Sequence, residues 1–195
     1  MNDNDKQIAF MNLFEPVRAN LSRFCRALSG NNEDAKDIMS ETILQAYENF
    51  EKLKHIEAFK SYLFSIASRI NKRKTWRSRL FVRLNDDHKV GYKVSSNAEN
   101  NLDVETLYLM MKKLPDKQQE AIALYEISGF SIEEIKEIQG SSLSGVKSRL
   151  KRGREKLAGL LDDNLKNTLT KSNEISETKQ KVYTINKQPE GKING

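Results

Sequence analysis

Cysteine, histidine, proline and glycine are all scarce here, and each scarcity removes a class of function. A single cysteine, Cys25, excludes an internal disulfide, and beside Leu21, Phe24 and Leu28 it reads as a small core residue. The two histidines, His55 and His88, lie far apart with no metal-ligand spacing around them, which argues against a zinc site. There is no Gly-rich phosphate loop, no Gly-x-Ser-x-Gly and no His-Glu-x-x-His, so no set of groups converges on an enzyme reaction. No run approaches the ~18 apolar residues of a membrane span. Met1 is followed by Asn-Asp-Asn-Asp-Lys rather than a basic and then apolar leader, so the reading expects a cytoplasmic protein without a secretory signal. Alternation of the strand type and internal repeats are missing too. Three prolines and nine glycines in 195 residues leave room for long helices.

What is present is helical periodicity and charge. Apolar residues recur every three or four positions over 7–29, 33–50 and 59–79, the last including Trp76 on its inward face. Gly30-Asn31-Asn32 separates the first two helices and offers a cap to the second. Over 84–101 the periodicity vanishes and Asn, Asp and Ser accumulate, as in a linker. Helical spacing returns at 102–114, restarts after Pro115, breaks at Gly129-Phe130-Ser131, and ends with a helix from about Ser142 to Leu161. Ser131 with Glu133 and Glu134 fits a capped first turn. Beyond it the chain is polar, with few large apolar side chains, and reads as a disordered tail. The expected fold is all-α: a helical domain at 7–83, a linker at 84–101, a second helical domain at 102–162 and a tail at 163–195.

The net charge of +6 matters less than its placement. Residues 60–83 carry eight basic residues and no acid: Lys60, Arg69, Lys72, Arg73, Lys74, Arg77, Arg79 and Arg83. Residues 144–156 carry Lys147, Arg149, Lys151, Arg152, Arg154 and Lys156 against Glu155 alone. Residues 31–51 are acidic instead, with six acids against Lys36. A basic helix held by its apolar face offers a row of phosphate contacts, whereas the acidic helix is either solvated or turned to a basic protein surface. Ser131-Ile-Glu-Glu-Ile-Lys-Glu-Ile-Gln-Gly140 followed by Ser144-Gly-Val-Lys-Ser-Arg-Leu-Lys-Arg has the layout of a helix-turn-helix, with Val146 and Leu150 inward.

In that order the segments resemble the sigma-70 family, and its small extracytoplasmic-function (ECF) branch in particular. Leu21-Ser-Arg-Phe-Cys-Arg-Ala-Leu-Ser-Gly-Asn-Asn-Glu-Asp-Ala-Lys-Asp-Ile-Met-Ser-Glu-Thr-Ile-Leu44 is similar to its polymerase-binding region, and Phe59-Lys-Ser-Tyr-Leu-Phe-Ser-Ile-Ala67 to the start of its −10-reading helix. Leu114-Pro115, Ser131-Ile-Glu-Glu-Ile135 and Val146-Lys-Ser-Arg-Leu150 resemble its −35-reading domain. The resemblance covers about residues 10–160 and implies an alternative sigma factor whose partners are core RNA polymerase, promoter DNA and an anti-sigma factor. By the same resemblance, Asp34, Asp37, Ile38 and Glu41 dock on the polymerase. Lys60, Arg69, Lys72, Arg73, Lys74 and Arg77 follow the −10 element, with a loop at 50–58 helping to capture a flipped base. Ser144, Lys147, Ser148, Arg149, Lys151, Arg152 and Arg154 meet the −35 groove. The polymerase brings the catalytic magnesium, so no cofactor is implied.

The chain departs from that pattern at chosen places. Arg69 stands where the family has an Asn able to read a base edge, and Arg73 where it has an acid. Ser40 stands for Gln, Lys136 for a small Ala between the two paired helices, and Gln139 and Ser141 for apolar residues beside Gly140. Gly145 replaces Thr and, placed in a helix interior, costs about 0.5–1 kcal/mol relative to Ala. These changes keep open a second reading: a polymerase-associated or helix-turn-helix regulator that does not melt promoters by itself.

Overall fold

The computed structural model describes residues 2–84 and 102–185, with side chains at 2–80, 104–168 and 170. Its long elements are helices α1 (Asp3–Ser29), α2 (Asn32–Glu48), α3 (Phe59–Leu84), α4 (Leu102–Lys112), α5 (Asp116–Ile122), α6 (Ile132–Gln139) and α7 (Leu143–Ile185). The caps follow the residues that predict them. Gly30 takes a left-handed φ of 81° to end α1, and Asn31 accepts a hydrogen bond from the Asp34 N–H at 2.8 Å to start α2. Ser131 and Glu134 form a reciprocal capping box at α6, and Gly140 at φ 56° ends that helix. Gly145 is not interior: α7 begins at Leu143, and the Gly145 N–H donates to Ser142 Oγ at 3.1 Å, so the glycine sits in the first turn, where the expected interior penalty does not apply.

Two helices outrun their periodicity. α3 continues to Leu84 and α7 to Ile185, past the Leu161 expected as its end. No proline or glycine interrupts the chain between Gly159 and Pro189, so nothing local stops α7. The linker expected at 84–101 lies, apart from its first residue, outside the described residues, as do 186–195 of the expected tail.

The described residues up to Leu157 form one compact unit, and from Ala158 the described chain is the continuation of α7. Within the compact unit α1, α2 and α3 enclose a core of Phe14, Leu21, Phe24, Leu28, Ile38, Leu63, Ile66 and Ile70. At one end Phe10 meets Tyr47, Phe50 and Phe59 edge-on, with ring centroids 5.4–5.5 Å apart. Residues 50–58 become two short 3₁₀ turns, Phe50–Lys52 and Ile56–Ala58, anchored by Phe50 and leaving Ile56 exposed. The remaining helices up to Leu157 pack around Met111, Leu114, Ile122, Leu124, Ile135, Val146 and Leu150. Gly153 lets α7 lie close on α5, since a Cβ there would stand 3.0 Å from Ile122.

The two helical domains pack against each other in this unit. Phe64 of α3 contacts Phe24 at 4.9 Å and Phe130, from the second half, at 4.8 Å between centroids, so one apolar core runs through both. The last carbonyls of α1 are satisfied from the other half. Lys112 Nζ donates to the Leu28 carbonyl at 3.0 Å, and Gln119 Nε2 donates to those of Ala27 at 2.6 Å and Leu28 at 3.2 Å. Burial pulls the Lys112 ammonium below its usual range, while Asp116 and Asp34 oppose the shift.

Between α5 and Ser128 the backbone widens into a π turn, Ala123–Ile127, where periodicity predicts an ordinary helix. The Ser128 N–H and Oγ both donate to the Ala123 carbonyl, at 3.1 and 3.0 Å, which accommodates the extra residue. The turn delivers Phe130 to Phe64.

Candidate nucleic-acid and polymerase interfaces

The acidic residues of α2 fall on its outer side, as expected. Asp34 and Asp37 are exposed and Glu41 is half-buried. Ile38 is a correction: it is 1 % exposed and belongs with Ala35, Thr42 and Ala46 on the inward stripe, so it supports the helix rather than a docking surface. The apolar residue that does lie outside is Leu44, 57 % exposed, one turn after Glu41. Its exposure is not legible in the sequence, because both flanks of the inward stripe fit the same period. The acids are not bare. Lys74 of α3 bonds Asp37 at 3.0 Å and Asp34 at 3.5 Å, and Arg73 bonds Glu41.

Those pairs divide the basic set of α3 by direction. Arg73 and Lys74 turn to α2 in this structure, where Arg73, at a position that is an acid in the family, pairs with Glu41. Lys60 and Lys72 turn to the second half. Lys60 Nζ donates to the Ser128 carbonyl at 3.2 Å and stands 4.2 Å from the Phe130 ring centroid, and Lys72 pairs with Glu120 at 3.2 Å. Arg69 and Arg77 remain exposed. Trp76 is a further correction: it is 65 % exposed rather than inward. Seven residues after Arg69, it shares that residue's side of the helix. Together Arg69, Trp76 and Arg77 set a flat ring among cations on an open helix face. The signal was present in the sequence as the only tryptophan inside a basic run.

On α7, Ser144, Lys147, Lys151 and Arg152 are exposed, and Ser148 and Arg149 are half-buried. Arg149 donates to Gln139 Oε1 at 2.7 Å, which fixes the direction of its guanidinium. Arg154 is held elsewhere, bonding Glu126 at 2.6 Å and lying 5.2 Å from the Tyr125 ring centroid; it is thus committed to its own module in this conformation. Cys25 is buried, and desolvation pushes its thiol up to about 12, which suits the core role expected of it. Among the described residues no cluster of His, Cys, Asp and Glu is arranged to hold a metal ion, and no helix is long and apolar enough to cross a membrane.

Comparison with known proteins follows the same division. Residues 13–79 match "Sigma-70 region 2" and residues 105–157 match "Sigma-70, region 4". The chain is 32 % identical over 142 residues to the ECF RNA polymerase sigma factor EcfG of Rhodopseudomonas palustris, covering 72 % of this chain and 78 % of that one. It is 28 % identical over 179 residues to the ECF RNA polymerase sigma factor SigW of Bacillus subtilis, covering 80 % and 91 %. The structure is similar to that of the sigma factor RpoE from Bartonella quintana, solved in complex with the anti-sigma factor NepR, with a TM-score of 0.68, 25 % identity and coverage of 78 % and 98 %. With both regions matched in order on one all-α frame, the chain belongs to the sigma-70 family and to its ECF branch.

Proposed function

We propose that this ECF sigma factor docks on core RNA polymerase through the outer face of α2, reads the −35 element with the start of α7, and holds the opened −10 strand along α3. The observation that supports this best is the placement of charge. An exposed acidic face with Leu44 lies on one helix, and exposed cations lie on two others. Asp34, Asp37 and Glu41 suit a basic protein surface and repel DNA. Lys147, Ser148, Arg149, Lys151 and Arg152 lie on the helix that follows the Gly140 turn, the position from which side chains reach base edges and phosphates in a major groove. On α3, Arg69 and Arg77 supply phosphate contacts and Trp76 supplies a stacking surface for an unpaired base, a combination that favours single strands without covalent chemistry. No role in DNA contact is assigned to Arg73 or Lys74, whose partners are on α2.

In vitro transcription with core polymerase and a pool of genomic fragments tests the reading. Start sites that require this protein and weaken with salt are expected. Core binding without any start site would instead favour the regulator that does not melt promoters, a reading to which the loss of the family's Asn at Arg69 gives some support.

A further inference from the structure

Gln139 is the last residue of α6 and stands where the family has an apolar residue, yet its amide is fully used. Its Nε2 donates to the Lys117 carbonyl at 3.1 Å and to the Glu120 carboxylate at 2.9 Å, both on α5. Its Oε1 accepts from Arg149 Nη1 of α7 at 2.7 Å. The two acceptors on α5 settle which way the amide faces. Turned over, Oε1 would meet a carbonyl oxygen and a carboxylate oxygen, and Nε2 would meet a guanidinium, which has no acceptor to offer. Oε1 is therefore held toward Arg149. The anchor is firm because Glu120 is buried, 3 % exposed, within the second sigma region's own first helices. Lys147, Lys151 and Arg152 of the same helix are exposed, whereas Arg149 is half-buried against this support. Gln139 takes one N–H of the guanidinium and leaves the rest of the planar fork free. A fork held in one direction matches the O6 and N7 acceptors that guanine presents side by side in the major groove.

We propose that Gln139 is a positioning residue for base choice at the −35 element: without touching DNA, it holds Arg149 so that the guanidinium fork meets a guanine. This rests on the −35-reading function proposed above and names the residue that sets its selectivity. An arginine free to swing meets phosphates as readily as base edges, and a phosphate contact carries no sequence information. An arginine already held in place loses less freedom on binding, and it cannot turn to a phosphate when the base is wrong. Gln139 therefore acts on the ratio of right to wrong sites more than on the affinity for DNA at large. The apolar residue of the family could pack α6 on α7, but it offers Arg149 no acceptor.

The test is competition binding by the full chain assembled with core polymerase, over promoter fragments in which each −35 base pair is replaced in turn. Gln139→Leu should lower the preference for guanine at one −35 position about tenfold. Binding to a fragment with an unrelated −35 element, and the slope of affinity against salt, should stay as in the wild type. Gln139→Met, which keeps the length of the side chain without its amide, should repeat the result. In an Arg149→Ala background neither substitution should change anything further, because Gln139 acts through that guanidinium. Arg149→Lys leaves α6 intact and keeps the charge but not the fork, so it should lose the same guanine preference at an unchanged salt slope. Equal effects of Gln139→Leu with and without the Arg149 side chain would overturn the positioning role, since loosened packing of α6 on α7 acts in both backgrounds. Retention of the guanine preference by Arg149→Lys, or by both Gln139 variants, would overturn it as well. A wild-type holoenzyme without preference at any −35 position would sink the −35 reading itself, whereas a wild-type preference that these variants leave untouched would sink only the part given to Gln139.

Discussion

Single side chains separate reading from holding. Arg149 is half-buried and aimed by Gln139, whereas Lys151 is exposed with open solvent before it. Arg149→Ala is expected to flatten discrimination among −35 sequences, each wrong base pair then costing less of the usual ~1–3 kcal/mol. Lys151→Ala should weaken all sequences alike and lower the salt slope by about one. Competition binding over a set of −35 variants separates the two, and equal losses everywhere for both would remove Arg149 from base reading. Trp76→Ala should slow strand opening, read by permanganate reactivity of unpaired thymines, with polymerase binding unaffected and with Trp76→Phe restoring part of it. At Gly153 an added methyl meets Ile122 at 3.0 Å, so Gly153→Ala should lower stability by about 1–3 kcal/mol in denaturant titration, although alanine is the better helix former.

At the scale of elements, α2 shows how one helix serves both inside and outside. Its stripe of Ala35, Ile38, Thr42 and Ala46 fixes it to the bundle, and that leaves Asp37, Glu41 and Leu44 turned out. Asp37→Lys should abolish association with core polymerase in a pull-down while leaving the fold intact. The Lys74 pair it removes has an exposed carboxylate and a half-buried lysine, and such surface pairs contribute about 0–1 kcal/mol. Wild-type capture of polymerase by that variant would end the docking role of α2. The π turn shows the limit of periodicity: Ala123–Ile127 continues the apolar pattern of α5, and only the seating of Phe130 against Phe64 reveals that one residue is extra.

At the scale of the molecule, the shared core and the capping of α1 by Lys112 and Gln119 join the two sigma regions, so they are expected to unfold together. Calorimetry of the free chain should show a single main transition for residues 1–157. Phe64→Ala, which removes a ring touching both halves, should cost about 3–5 kcal/mol and divide that transition in two. A wild-type chain that already melts in two well-separated steps would contradict this coupling.

The sequence by itself determined where the long helices lie, their caps and the family, though not where α3 and α7 end. Those follow from local spacing and from residues such as Gly30, Asn31, Ser131 and Gly140, whose effect reaches only a turn or so along the chain. It also placed the acidic and basic runs on their helices. It did not determine which way each charge faces. Ile38 and Trp76 were misplaced because a helical period marks a stripe about as wide as the error in its centre. Gln139, which reads as a poor substitute for an apolar residue, is instead the link between Arg149 and Glu120. Nothing near Glu120 in sequence shows that it will be buried against Ser68 and Lys72, about fifty positions away. Only the tertiary structure decides that contact, because a carboxylate can be buried only where distant parts of the chain arrive together to satisfy it.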